Sequence, residues 1–216
     1  RAACWYTADK QTAGVGRRGR AWVQKAGNFA GTLLWPVTSG DIKRPALFSF
    51  LAAVALCDAL EACGVPTSVT QVKWPNDVLV DGKKVAGILP ELVRGEAALA
   101  VVIGMGVNLA YAPKGPGINA TAVCDHAQRV PDPASFRMTL DKTLNAVWSH
   151  YRRGGFEAIR QAWLSRAAGL GGQLTARLEG STLEGVFHGV GADGELLLDI
   201  GGDIRPVLAA DVFLKD

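Results

Sequence analysis

A short cationic segment near the start of the chain, residues 11–22, reads QTAGVGRRGRAW and places three glycines among three arginines. Glycine lets backbone N–H groups approach an anion closely, and arginine supplies forked donors for phosphate or carboxylate. The segment lacks the Gly-Lys-Ser/Thr ending of a Walker loop, and its glycine spacing is not that of a Rossmann turn. It predicts either a flexible anion-binding loop or a solvated basic turn.

A second polar group is formed by KWPND at residues 73–77 and by the lysine that begins KVAGIL at residues 84–89. Pro75 fixes a turn, and Asn76 and Asp77 offer hydrogen bonds or ligands for Mg²⁺. Lys84, aimed from a strand into a pocket, would hold a carboxylate or phosphate as a point charge. The alternatives are an Asx-type turn without a ligand and a lysine that only adds solubility to a hairpin rim.

The third group is GMGVN at residues 104–108, at the end of an apolar run. Two glycines in a strand let a flat ring approach the backbone closely, and a simple kink in a core strand is the alternative. Taken together, the three groups supply a cationic glycine loop, a polar turn with a lysine strand, and a glycine strand ending in Asn108. A site that activates a carboxylate with a nucleotide requires this combination.

The elements that must position these groups follow from hydropathy and turn residues. In chain order they are a buried helix over 46–63, strands over 69–72, 78–80, 85–92 and 97–108, and two helices that begin at Asp132-Pro133 and after Gly154-Gly155. Helices gather in blocks instead of alternating with strands. This arrangement favours an α+β fold with a mixed β-sheet flanked by helices.

The composition changes at Gly169–Gly172, after which short alternating strands are separated by glycine turns. This pattern predicts a small C-terminal β-barrel that packs on the larger part of the chain. We therefore expect domains over 1–168 and 171–216. No residue of the barrel is expected to be catalytic, and its cationic candidates, His188 and Arg205, are expected at the surface.

Composition and charge exclude several classes of protein. The 216 residues are 49% hydrophobic and 20% charged, which is typical of a globular chain. The apolar runs are shorter than the roughly 18 residues that span a bilayer, and no signal-peptide pattern is visible. A net charge of +3 is low for a nucleic-acid-binding module. Four cysteines without metal-site spacing predict free thiols, mostly buried, and a cytoplasmic location.

In their residues and in their order along the chain, the three groups resemble the sequence motifs of the biotin protein ligase family. The resemblance is carried by residues 11–22, 73–77, 84–89 and 104–108. It implies the catalytic fold of biotin and lipoate ligases, followed by an SH3-like domain. It also implies a two-step reaction, in which biotin and ATP form biotinyl-5′-AMP and pyrophosphate, and a lysine of the acceptor then displaces AMP. Mg²⁺ is the expected cofactor, and a biotin carboxyl carrier protein domain is the expected acceptor.

The resemblance also assigns roles to residues. It implies that Arg17 and Lys84 are catalytic, with Lys84 contacting the biotin carboxylate and then the phosphate. Biotin contacts are implied for Gln11, Gly14, Val15, Gly16, Arg17, Lys84, Gly87 and Ile88. Nucleotide contacts are implied for Arg18, Arg20, Trp22, Lys73, Asn76, Asp77 and Asn108, with Trp22 stacking on adenine. A purely structural role is the alternative for each residue, and no metal ligand is assigned.

The chain departs from the family pattern in three places. Val15 stands where family loops usually carry arginine, which alters loop closure only if the side chain takes part in it. The family's upstream Ser-Thr-Asn, which contacts biotin, is absent, and we expect that N-terminal residues are missing. No helix-turn-helix is visible, so we expect a ligase without DNA-binding activity.

Two other functions are weighed against this one. A lipoate or octanoate ligase or transferase shares the catalytic fold, but the triple glycine and the His-Asp of that pattern are absent. A non-catalytic biotin-binding regulator would be favoured by loss of Arg17 or Lys84, and both are present.

A homodimer is possible through a sheet edge near Ala97–Val102. No nucleic-acid or membrane partner is expected.

Overall fold

The computed structural model describes residues 3–37, 46–94 and 99–215. The first part of the chain forms a six-stranded sheet with strands β1 (Cys4–Thr7), β2 (Phe29–Val37), β3 (Thr70–Lys73), β4 (Asp77–Val80), β5 (Lys83–Arg94) and β6 (Leu99–Val107). Their order is β1-β2-β6-β5-β4-β3. The ladders are antiparallel, and parallel pairing enters at two isolated bridges, Val72 with Ala167 and Lys84 with Ala120. The sheet is therefore mixed, as predicted.

Helix α1 (Leu47–Ala62) is apolar around almost its whole circumference. Such a helix is stable only where every face is covered. It packs on the sheet strands β3 to β6 and on a second helix. The helix ends at Ala62, and Gly64 follows with a φ of +91° that favours glycine. The predicted helix with a glycine stop is thus confirmed.

Helix α2 (Pro133–Leu164) begins at Asp132, whose carboxylate accepts hydrogen bonds from the backbone N–H groups of Ala134 and Ser135, each at 2.9 Å. Pro133 follows at the first helical position, where its missing N–H costs nothing. The helix is broken at Gly155, with φ +64° and ψ −163°. The predicted end of one helix and start of another at this glycine pair is thus confirmed.

The C-terminal part is a five-stranded antiparallel sheet of β7 (Gln173–Arg177), β8 (Thr182–Val190), β9 (Leu196–Ile200), β10 (Asp203–Val207) and β11 (Asp211–Leu214). Its order is β10-β9-β8-β7-β11, and within the described residues no ladder joins β10 to β11. The SH3-like pattern of short strands is present, but as an open sheet instead of a closed barrel. His188 and Arg205 are exposed, as predicted.

Aromatic side chains join this C-terminal sheet to the rest of the molecule. The ring centroids of Phe50 and Trp163 lie 5.1 Å apart, and those of Trp163 and Phe187 lie 6.5 Å apart. Buried residues of both sheets belong to one continuous hydrophobic core. The C-terminal sheet is consequently fixed relative to α1 and α2.

The predicted dimer edge near Ala97–Val102 is wrong for the residues that the structure describes, which begin at Leu99. Residues 99–102 pair with β2 on one side and with β5 on the other. β6 is therefore a central strand, as its apolar run predicted, and leaves no unpaired edge there. Ala97 and Ala98 lie outside the described residues.

The cysteines carry free thiols, as predicted. Cys57 is fully buried in α1, and burial raises the pKa of its thiol to about 12. Cys63 is half-buried, whereas Cys4 and Cys124 are exposed, so the prediction of buried thiols holds for α1 alone. Within the described ranges, no helix is long and apolar enough to cross a membrane.

A buried asparagine anchors the chain where it leaves β6. Asn28 is 4% exposed, and its Oδ1 accepts hydrogen bonds from the backbone N–H groups of Leu109, Ala110 and Tyr111, each at 3.0 Å. Its Nδ2 donates to the Tyr111 carbonyl at 2.7 Å. One side chain thus satisfies four backbone groups of this turn.

We expect Asn28→Ala to lower the free energy of unfolding by about 2–4 kcal/mol, because several buried backbone groups lose their partner at once. Chemical denaturation monitored by circular dichroism measures this change. Asn145→Ala, which removes an exposed asparagine of α2, is the matched control and should change stability far less. Equal losses in the two variants would contradict the anchoring role.

Candidate active site

A cavity of about 560 Å³ lies between the six-stranded sheet, the cationic loop of residues 11–22 and β11. The predicted site residues converge on it, with two exceptions. The predicted residues among those that line it are Gln11, Val15, Gly16, Arg17, Arg20, Trp22, Lys73, Asn76, Asp77, Lys84, Gly87, Ile88 and Asn108. Gly14 and Arg18 lie outside its wall.

The cationic loop forms a miniature hairpin. Val15 bridges Ala21, the Gly16 N–H donates to the Arg20 carbonyl at 2.7 Å, and the Trp22 N–H donates to the Gly14 carbonyl at 2.8 Å. Gly14 is needed for this close approach, since an added Cβ would lie 2.5 Å from the Trp22 carbonyl oxygen. Val15 is 58% exposed.

The C-terminal part of the chain holds this loop through Asp211 and through the Ala210 carbonyl, which accepts a hydrogen bond from Arg17 Nη1 at 3.5 Å. Asp211 on β11 pairs with Arg18 at 3.1 Å and with Arg20 at 2.9 Å. Arg17 lies beside them, and burial lowers the pKa of its guanidinium against the opposing effect of Asp211. Exposed ion pairs contribute only about 0–1 kcal/mol each, so these two hold the loop weakly.

Asp211 is a site residue that sequence analysis missed, because nothing in the short strand around it indicated a partner elsewhere. Phe213, two residues further along β11, lines the same cavity. Its ring centroid lies 6.0 Å from Lys73 Nζ and 4.8 Å from the guanidinium of Arg177. The expectation that the C-terminal strands contribute no catalytic residue stays untested, but they do contribute to the cavity wall.

The turn at residues 73–77 is hydrogen-bonded to β5 and places Asp77 beside Lys84 of that strand. Asn76 donates through Nδ2 to the Ile88 carbonyl at 2.7 Å, and its own carbonyl accepts from the Ile88 N–H at 3.0 Å. Lys84 Nζ lies 2.6 Å from Asp77 Oδ1, an oxygen that is otherwise buried without a hydrogen-bond donor. Lys84 therefore points into the cavity from a strand, as predicted.

Lys73 adds a further cation beside this pair. Burial lowers the pKa of its ammonium group, and nearby Lys84 lowers it further, whereas Asp77 and Asp211 raise it. An anion bound among these groups would reverse the shift, because it stabilises the charged form of lysine.

The glycines of β5 and β6 form a depression in the floor of the cavity. Gly87 and Gly106 are direct cross-strand partners. The indole of Trp22 fills this depression, and an added Cβ at Gly106 would overlap it. Gly104 and Gly106 are predicted to let a flat ring approach. At Gly106 the ring is that of Trp22, 5.6 Å from Lys84 Nζ, whereas Gly104 lies beside Leu89.

Asn108 is 2% exposed, and its amide is used inside the protein. Nδ2 donates to the Thr121 carbonyl at 3.1 Å, and Oδ1 accepts from Asn28 Nδ2 at 3.5 Å. Asn108 thus has a structural role at the cavity wall, and its nucleotide contact stays a prediction.

Comparisons with known proteins agree with this geometry. Residues 5–108 match the model of the biotin/lipoate A/B protein ligase family. The chain is 42% identical to the biotin–[acetyl-CoA-carboxylase] ligase of Paracoccus denitrificans, over 97% of the chain and 89% of that protein. It is 35% identical to the bifunctional ligase/repressor BirA of Bacillus subtilis, over 96% of the chain but only 65% of that longer protein.

Solved structures show the same fold. The biotin protein ligase from Aquifex aeolicus in complex with biotin and ATP superposes with a TM-score of 0.82 at 23% identity, over 98% of this chain and 88% of that one. The Leishmania major biotin protein ligase in complex with biotinyl-5-AMP gives 0.65 at 22% identity, over 96% and 89%. At these identities the likeness extends to the fold alone.

We expect Gly106→Ala to lower the free energy of unfolding by about 1–3 kcal/mol, because its methyl group would displace the Trp22 indole. Near-ultraviolet circular dichroism and chemical denaturation together report the displacement and its cost. Gly104→Ala is the matched control, since its added Cβ would meet Leu89 at ordinary contact distances of 3.5 Å or more. The packing account of Trp22 would be contradicted by two variants of equal stability and unchanged spectrum.

Proposed function

This chain belongs to the biotin protein ligase family, and we propose that it activates biotin with ATP to biotinyl-5′-AMP and transfers the biotin to a lysine of a carrier protein. The observation that carries the proposal is the convergence of Arg17 and Lys84 on a cavity with a glycine floor. Arg20 and Lys73 line the same space, and Arg18 lies just outside it on Asp211, so the space is cationic where two anionic substrates must meet.

In the first half-reaction, the biotin carboxylate attacks the α-phosphate of ATP and pyrophosphate leaves. Lys84 exchanges its partner Asp77 for the biotin carboxylate and so draws that carboxylate towards the phosphate. Arg17 stabilises the negative charge that develops in the transition state. Its backbone neighbours Val15 and Gly16 face the same space and line the biotin chain.

The cationic loop also protects the intermediate. A mixed anhydride reacts with water, so the loop must cover it until the acceptor lysine arrives. Because Asp211 pairs with Arg18 and Arg20, the loop is held across the cavity. Nucleotide phosphates replace Asp211 as their partner and draw the loop further in.

The residues at the turn fit a magnesium ion that is held mainly by phosphates. Within the described residues, no cluster of three or more His, Cys, Asp or Glu side chains forms a metal site. Mg²⁺ commonly takes one or two protein oxygens and completes its shell with phosphates and water. Asp77, with Asn76 beside it, would hold it. When bound, it neutralises phosphate charge.

In the second half-reaction, a lysine of a biotin carboxyl carrier protein domain attacks the activated carbonyl, and AMP leaves. The free thiols and the absence of a spanning helix among the described residues support a cytoplasmic reaction without a membrane partner. The low net charge of +3 supports a protein that acts without nucleic acid.

Biotin-dependent exchange of labelled pyrophosphate into ATP tests the proposal. We expect exchange with biotin in the presence of Mg²⁺, and a loss of at least 100-fold in Arg17→Ala and in Lys84→Ala, the order reported for removing one charge-stabilising group. Arg205→Ala, which removes an exposed cation outside the cavity, is the control and should keep wild-type exchange. Exchange with lipoate alone, or none with either acid, would contradict the proposal.

The lowered pKa of Lys73 predicts that ATP binding depends on pH. Its pKa is lowered in the free protein, and bound phosphates raise it again. Binding therefore takes up protons at a pH between the two values, and ATP affinity falls as the pH rises through the lower one. Calorimetry with a non-hydrolysable ATP analogue in buffers of different ionisation enthalpy measures this uptake.

Lys73→Arg is the matched variant for this measurement, because arginine keeps its charge throughout the accessible pH range. We expect the variant to lose the proton uptake that Lys73 contributes. An identical number of protons taken up by the variant and the wild type would assign the uptake to another group.

A further inference from the structure

Trp74 differs from its neighbours in the turn at residues 73–77. Lys73, Asn76 and Asp77 face the cavity with charged or polar groups, whereas Trp74 is only 4% exposed and belongs to the hydrophobic core. Its indole N–H donates to the backbone carbonyl of Gly194 at 3.0 Å. The turn that carries phosphate-facing residues is thus tied directly to the C-terminal sheet.

The acceptor of this hydrogen bond is itself firmly held. Gly194 lies in the turn between β8 and β9 with a φ of +83°, and its N–H donates to the Gly191 carbonyl at 3.1 Å. An added Cβ there would press on Leu47 and Phe50 of α1, each at 3.1 Å. The Gly194 carbonyl is therefore a fixed point where the C-terminal sheet meets α1.

A second hydrogen bond ties the turn to helix α1. Ser49, buried in α1, donates through Oγ to the Pro75 carbonyl at 2.9 Å. Trp74 and Pro75 are consequently fixed by two neutral hydrogen bonds. Lys73 and Asp77 flank the turn that these bonds hold, at the ends of β3 and β4, whereas the glycine floor of β5 and β6 is set by the centre of the sheet.

The hydrogen bond from Trp74 to Gly194 also relates the turn to β11. Asp211 and Phe213 belong to the C-terminal sheet that contains the Gly194 turn, and both face Lys73 across the cavity. A movement of the turn relative to that sheet changes the spacing of the phosphate-facing groups. Gly87 and Ile88, on the proposed biotin side, are held in addition by the ladder between β5 and β6.

We propose that Trp74 is a positioning residue for the nucleotide, and that its indole N–H sets the distance between the phosphate-facing turn and the C-terminal sheet. This inference rests on the proposed function. It assigns to Trp74 an effect on ATP that is separate from any effect on biotin.

Trp74→Phe tests the inference, because it keeps an aromatic ring in the core and removes the N–H donor. We expect the KM for ATP in pyrophosphate exchange to rise about 3- to 10-fold, as the loss of one neutral hydrogen bond predicts, with an unchanged Kd for biotin. Trp5→Phe is the matched control. It removes an indole hydrogen bond to Asp141, 2.9 Å long, far from the cavity, and should leave both constants as in the wild type.

The outcomes separate the inference from the proposed function. A Trp74→Phe protein with wild-type KM for ATP, or with equal losses for ATP and biotin, overturns the positioning role. Absence of exchange in the wild type instead contradicts the proposed function. If Trp74→Phe does not fold, Ser49→Ala removes the other hydrogen bond of the turn and must raise the KM for ATP without changing biotin affinity. An unchanged KM in that variant overturns the inference.

Discussion

The mutual repulsion of cations in one cavity is the constraint on which the rest of this structure depends. Joining a carboxylate to a phosphate requires positive charge beside both anions. Arg17, Arg20, Lys73 and Lys84 line the cavity and supply it, with Arg18 just outside the wall. Without ligand these groups repel each other, and two carboxylates offset the repulsion: Asp77 beside Lys84, and Asp211 between Arg18 and Arg20. These carboxylates do not fully offset the burial of Arg17 and Lys73, and burial lowers the pKa values of both groups.

The fold meets this constraint by taking each side of the cavity from a different element. The sheet supplies a neutral floor, because cross-strand glycines leave room for the Trp22 ring and expose backbone instead of side chains. The cationic loop forms the roof, and β11 supplies the carboxylate that holds it. Helix α1 packs on the six-stranded sheet and lies beside Gly194 in the turn between β8 and β9, which ties the two sheets together.

Local patterns predicted much of the fold and of the site. The glycine stop of α1, the proline start of α2 and the break at Gly155 each depend on a few neighbouring residues, so the sequence indicates them directly. Strands β1, β2 and β11 escaped prediction. β2 contains Gly31 and Pro36, and β1 and β11 are only four residues long, so none shows a clear alternating pattern. Asp211 escaped for a further reason: its function depends on loop arginines more than 190 residues away in the chain.

A crystal structure with biotin and a non-hydrolysable ATP analogue tests the central claim most directly. The account predicts that the biotin carboxylate lies within hydrogen-bond distance of Lys84 Nζ, which has left Asp77. It also predicts that the phosphates contact Arg18, Arg20 and Lys73, which frees Asp211 from the loop. A complex in which either ligand binds outside the cavity, or in which Asp211 keeps both arginines while the phosphates are bound, would contradict the account.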